Sequence, residues 1–96
     1  MVVSEKPVWI EDGDGTIVRG TAEFLTPGGL QVRLAGPPRF GTGAGVALRI
    51  SLDPERPTVA ATARVSWVHS NGNGPECGLE WTSLQASLEE WLASRN

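Results

Sequence analysis

The sequence has a single cysteine, Cys77, in 96 residues. One cysteine forms no intrachain disulfide and excludes a cysteine-rich metal site. Small secreted domains usually depend on disulfides for stability, so the composition predicts a protein of the reducing cytoplasm. The thiol lies in an alternating apolar pattern, which predicts a small core residue.

Long apolar runs are also missing, which excludes insertion into a membrane, and no signal peptide is visible. The eight Lys and Arg residues are dispersed and the net charge is -3, so no basic face for nucleic acid is predicted. The one histidine, His69, has no second histidine or cysteine in register for a metal. No nucleophile motif, acid–base pair or phosphate loop is present, so the protein is not expected to be an enzyme.

Glycine and proline, by contrast, are abundant and divide the chain into short apolar segments. Apolar and polar residues alternate within these segments, which is the period of a half-buried strand. The same alternation places Trp67 and Trp81 in the core, and the run Asn71–Glu76 is typical of a hairpin loop. The predicted strands are Lys6–Glu11, Thr16–Leu25, Gly29–Leu34, Val46–Leu52, Val59–Trp67 and Glu76–Trp81.

The C-terminal segment changes to a helical period from Ser83 onward. Thr82 followed by Gln85 is a capping-box pattern, which predicts a helix of about three turns beginning there. So short a helix is marginal alone and must dock its apolar stripe on the mouth of a barrel or on a curved sheet. The stripe comprises Leu84, Leu88, Trp91 and Leu92.

Several segments in this order resemble the PilZ domain family. LTPGGLQV (Leu25–Val32) is similar to the family's Asp/Asn-x-Ser-x-x-Gly turn, and GTGAGVALRISL, ATARVSWV and CGLEW resemble three later strands of the family, with the closing helix directly after them. The resemblance implies one domain over residues 1–96. It also implies a six-stranded antiparallel β-barrel with a C-terminal α-helix, a fold that in most members binds the bacterial second messenger cyclic di-GMP.

The family's ligand motifs are only partly kept. Thr26 stands at the serine position of the turn and Gly28–Gly29 at its glycines, but Phe24 replaces the acidic or amide residue. From the residues alone, a hairpin turn that needs positive φ also explains the two glycines. The family's Arg-x-x-x-Arg is matched only by Val2 and Lys6, and lysine lacks the planar fork of arginine.

Arg19 and Arg33 lie on either side of the predicted hairpin and are further candidates for holding phosphate; solvated strand residues are the alternative. A charge-assisted hydrogen bond contributes about 1.5–3 kcal/mol. A site without about three of these bonds binds its ligand roughly a thousandfold or more weakly.

The resemblance therefore implies a bacterial signalling adaptor that binds cyclic di-GMP weakly or not at all. Such an adaptor acts through protein contacts in motility, type IV pilus or polarity control. The alternative is a working cyclic di-GMP receptor with a variant site. Trp9 lies between Val8 and Ile10, so one face of that strand exposes an apolar side chain, which suggests a protein partner. The sequence leaves monomer and homodimer equally open.

Overall fold

The computed structural model describes residues 2–72 and 74–95, and it confirms an all-β domain with one helix. Each connection between consecutive strands contains glycine, proline or acidic turn residues, as the sequence predicts. The elements are β1 (Val2–Glu11), β2 (Ile17–Thr26), β3 (Gly29–Leu34), β4 (Gly45–Ile50), β5 (Val59–Asn71), β6 (Gly74–Leu84) and α1 (Ala86–Arg95).

The strands form a closed antiparallel barrel in the order β1-β2-β3-β6-β5-β4. Pairing of Val8–Glu11 on β1 with residues 47–50 of β4 closes the ring. Pairing of β3 with β6 joins the two halves of the chain, from Gly29 opposite Glu80 to Arg33 opposite Glu76. Because side chains alternate across each strand, every strand of the barrel has one inward and one outward set.

Aliphatic side chains fill the interior. Three residues of the predicted strand Val46–Leu52 are buried on one face of β4, namely Val46, Leu48 and Ile50, as are Ala61, Ala63 and Val65 of β5. Leu52, at the end of that predicted strand, lies beyond β4 and is half-buried. Cys77 is wholly buried, as predicted, and burial raises the pKa of its thiol to about 12. Helix α1 packs Leu88 and Leu92 into the core, and each such side chain contributes about 1.5–3 kcal/mol on burial.

The prediction that Trp67 lies in the core is wrong. The pairing of β5 with β6 shifts between Val65 and Trp67, so a β-bulge turns Trp67 to the outer face, where it is 37% exposed. Trp81, also predicted to lie in the core, is half-buried and packs against it, so that prediction is confirmed in part. The long loop predicted after His69 is also shorter than expected, because Asn71 pairs with Gly74 and both strands continue into the turn.

The helix begins later than its capping pattern predicts. Residues 82–84 complete β6, and the Thr82 hydroxyl lies 2.8 Å from that of Thr62 instead of capping a helix. The first helical turn is closed by the Gln85 carbonyl, which accepts from the amides of Leu88 and Glu89. The Gln85 side chain accepts from the amide of Ala60 on β5 at 2.9 Å. No helix in the described part of the chain has the length and apolarity needed to span a membrane.

Candidate functional site

The turn between β2 and β3 is organised by the Thr26 hydroxyl. Its oxygen accepts from the amides of Gly28 at 3.2 Å and Gly29 at 3.0 Å, and it donates to the Gly29 carbonyl at 3.2 Å. A hydroxyl has one hydrogen and two lone pairs, so these bonds use its full capacity. Thr26 therefore stabilises the turn itself, and a ligand would have to break one of these bonds to reach it.

Trp81 on β6 anchors this turn from across the barrel wall. Its backbone amide donates to the Gly28 carbonyl at 3.1 Å. Its indole Nε1 donates to the Thr26 carbonyl at 2.9 Å. The alternating pattern of β6 predicts Trp81 only as a core residue, although a buried indole N–H requires an acceptor and thus signals a polar anchor.

Gly28 and Gly29 do not have positive φ, so the prediction that the turn needs glycines for a positive φ is wrong. Among the described residues, positive φ occurs at Gly15, Gly43 and Gly74. A β-carbon on Gly29 would instead collide with the Leu79 carbonyl of β6, whereas one on Gly28 would meet only the Thr26 hydroxyl at 3.8 Å. Gly29 is therefore required by the close approach of β3 to β6.

A depression lies on the outer face beside the turn, and we call it the turn depression. Its residues form a row across four strands, because Phe24 pairs with Gln31, Gln31 with Gly78, and Gly78 with Trp67. The Trp67 indole lies over Gly78, where a β-carbon would collide with the ring. Phe24 and Trp67 flank a volume of about 530 Å³ that also borders Thr26 and Glu80.

The charges around the turn depression do not favour an anion. Among the described residues that line it there is no lysine or arginine, and Glu80 contributes a carboxylate. Arg64 lies next to it on β5 but pairs with Glu80 at 3.2 Å. With Glu80 and Arg64 compensating each other, the apolar walls suit an uncharged group better than a phosphate.

The arginine candidates lie elsewhere. Arg33 is four residues beyond Gly29 along β3, about 13 Å at the rise of a strand, and Arg19 is seven residues before Thr26, about 23 Å. Arg33 pairs with Glu23 at 3.2 Å and lies 4.0 Å from Glu5. Arg19 and Arg33 line a separate depression of about 300 Å³.

Lys6 belongs to a third surface. It pairs with Ala22 in the backbone ladder, and its side chain lines a groove of about 930 Å³ beside Trp91 of the helix and the β4–β5 loop. The structure therefore brings together Thr26, Gly28 and Gly29, but not the three cations. The Val2 side chain, the other basic-motif position, lies outside the described residues. Ligand binding by these residues stays a prediction.

Comparison with known proteins places this barrel in a family. The PilZ domain model matches residues 5–94. Among solved structures, the Bacillus subtilis inhibitor of motility (MotI/DgrA) matches with a TM-score of 0.81 and 21% sequence identity, covering 98% of this chain and 46% of that one. The chain thus spans about half the length of that protein, and no curated protein matches it. Because the family model covers nearly the whole chain, from the first strand to the closing helix, the protein belongs to the PilZ domain family.

Proposed function

We propose that the protein is a bacterial PilZ-type signalling adaptor that binds cyclic di-GMP weakly or not at all and acts through protein contacts. The observation that carries this proposal is the turn depression, where Phe24 and Glu80 stand beside the family's ligand turn with no cation among the described lining residues. Cyclic di-GMP carries two phosphate charges, and a phosphate placed there would lack a free cation because the neighbouring Arg64 is already paired with Glu80.

The hydrogen-bonding groups of the turn add support. The Thr26 hydroxyl uses all of its hydrogen-bonding capacity within the turn. The backbone carbonyls of Thr26 and Gly28 already accept hydrogen bonds from Trp81. A guanine edge would compete with these bonds and would gain little from the exchange. The same residues that mark the family's ligand turn therefore support a structural role here.

The cellular process in which such an adaptor acts is proposed from the PilZ family and from the similar solved structure. The structurally similar Bacillus subtilis protein is an inhibitor of motility, and we extend this to a role of the present protein in motility, type IV pilus or polarity control. A cytoplasmic, non-enzymatic protein fits the single buried thiol and the family. The match covers only 46% of that protein, so its whole activity enters here only as a proposal.

Isothermal titration with cyclic di-GMP tests the proposal. We expect a dissociation constant weaker than about 1 mM, and one tighter than about 10 µM would contradict it. The triple variant V2R/K6R/F24D restores the residue types of the family motif and should bind more tightly than the wild type. If the triple variant gains nothing, more than these three side chains separates this site from a working receptor.

A receptor with a variant site is the second candidate, favoured by one observation: Arg19 and Arg33 line the same depression. In that case the double variant R19A/R33A should abolish nucleotide binding that the wild type shows. The pairing of Arg33 with Glu23 and the long separation of Arg19 from the turn favour the adaptor instead.

A further inference from the structure

Another face of the barrel combines apolar and cationic side chains on a rigid surface. Arg19, Trp9 and Arg49 stand opposite one another on β2, β1 and β4. Arg49 in turn is opposite Ala60 on β5, and the adjoining row begins with Ile17. We call this surface the Trp9 face; it comprises Trp9, Glu11, Ile17, Arg19, Ala47, Arg49 and Ala60.

The apolar part of the Trp9 face is partly open to solvent, because Ala47 is exposed and Trp9 and Ala60 are half-buried. Ile17 is 61% exposed, although most isoleucines are buried in folded proteins. Trp9, Ile17 and Ala47 border a groove of about 370 Å³ on the outer wall. The strand beneath is held firmly, since Val8 and Ile10 on either side of Trp9 are wholly buried. The groove therefore presents a preformed apolar surface, which lowers the entropic cost of binding.

The cations of this face are available for a partner. Arg19 and Arg49 are exposed, and neither forms an ion pair with a carboxylate of the described residues. Glu11 lies within the face, between Ile17 and Ala47 in the row next to the arginines, but it forms an ion pair with neither of them, so the face keeps an excess of one positive charge. By contrast, the other arginines whose side chains the structure describes are each paired with a carboxylate: Arg33, Arg39, Arg56 and Arg64.

The spacing of the two free arginines defines a partner. Two inter-strand distances separate Arg19 from Arg49, about 10 Å in all. On an α-helix, residues i and i+7 share a face and are about 10.5 Å apart, with i+3 and i+4 between them. A helix lying across β2, β1 and β4 would place two carboxylates on the arginines and its central apolar side chains on Trp9.

We propose that the Trp9 face is the docking surface of this adaptor, and that its occupant is an amphipathic helix of a partner protein. The helix carries an apolar stripe flanked by carboxylates seven residues apart. The inference rests on the proposed adaptor function and names the surface that performs it. Tryptophan and arginine, with tyrosine, are the residues enriched among binding hot spots. The turn depression is the weaker candidate, because the arginine beside it, Arg64, is already paired.

A defined peptide library tests the proposal. Helical peptides of about 14 residues, randomised on their surface and displayed on phage, are selected against the full chain. We expect enrichment of acidic residues seven positions apart around apolar ones. The enriched peptide should bind the charge-reversal variant R19E/R49E at least about tenfold more weakly than the wild type.

The matched control is R56E/R64E, which changes the net charge equally at two paired surface arginines. It should change the affinity less than about threefold. Equal weakening by both double variants, or no weakening by R19E/R49E, would overturn the assignment of this face. Enrichment of peptides without the acidic spacing would overturn the assignment of the partner.

Two further measurements keep the alternatives apart. If sedimentation shows that the wild type self-associates and that R19E/R49E abolishes this, the occupant is a second copy and the partner proposal fails. If the selected peptides bind elsewhere on the barrel, the assignment of the Trp9 face is refuted but the proposed adaptor function is not. Tight binding of cyclic di-GMP in isothermal titration would refute the proposed adaptor function, whatever the peptide selection gives.

Discussion

The close approach of β3 to β6 at Gly29 predicts an asymmetric response of two adjacent glycines to the same substitution. In Gly29→Ala the new methyl group would collide with the Leu79 carbonyl and lie close to the Glu80 backbone, so a strand must move. Overpacking of this kind costs about 1–3 kcal/mol, and displacement of the turn also weakens its bonds to Trp81 at about 1 kcal/mol each. We expect the free energy of unfolding to fall by about 2–4 kcal/mol.

Gly28→Ala is the matched control. Its methyl group meets only the Thr26 hydroxyl at an ordinary contact distance of 3.8 Å, and Gly28 does not have positive φ. The substitution should be neutral, or stabilise by up to about 1 kcal/mol by restricting the unfolded chain. The two variants add the same methyl group one residue apart, so the change in composition cancels in the comparison, and the difference reports the exposed site at Gly28 against the buried one at Gly29.

Urea unfolding followed by tryptophan fluorescence measures both variants, and thermal melting provides a second readout. For a domain of this size, about 2–4 kcal/mol corresponds to a melting temperature lower by roughly 10–25 °C. If the two variants differ by less than about 0.5 kcal/mol, the assignment of Gly29 to strand packing is refuted. A ligand-contact role would then be the better explanation for this glycine.

Three further predictions concern stability. Trp81→Phe removes the indole bond to the Thr26 carbonyl and should cost about 1 kcal/mol in urea unfolding, whereas a decrease of less than about 0.3 kcal/mol would contradict the anchoring role. Leu88→Ala opens a cavity at a wholly buried position and should cost about 2–5 kcal/mol, and an unchanged melting temperature would show that α1 is not docked. The Cys77 thiol has a pKa of about 12 in the folded protein and ionises near pH 9 in the unfolded chain. Its contribution to the free energy of unfolding is therefore full below pH 9 and falls as the pH rises towards 12, by up to about 1.4 kcal/mol per pH unit. Cys77→Ala should lack this part of the pH dependence, as measured by urea unfolding across that range.

The alternation of apolar residues was sufficient to predict the barrel strands, because burial on one face imposes a period of two wherever the ladder is regular. Ala61, Ala63 and Val65 follow this rule and are buried. Trp67 breaks it, because the bulge between Val65 and Trp67 inserts a residue and reverses the orientation that follows. A bulge depends on the partner strand, so a single strand's sequence carries little sign of it.

In the candidate site, too, the features set by neighbouring residues could be predicted from the sequence, and those set by distant strands could not. The positions of Thr26 and Gly29 follow from a local motif, and the hairpin is where the motif places it. The reason for Gly29 is a carbonyl on β6, and the anchor of the turn is Trp81, 55 residues from Thr26. Neither could be predicted without the pairing of β3 with β6, which depends on the whole barrel.

The closed order of the strands has a consequence for how partners are recognised. Where Val8–Glu11 meets β4, both sides of β1 are hydrogen-bonded, so that belt of the described barrel offers no free backbone edge. Recognition by strand addition, in which a peptide extends a sheet through main-chain bonds, is unavailable there. Selectivity in that belt must be carried by outward side chains, and these can change in evolution without disturbing the barrel that holds them.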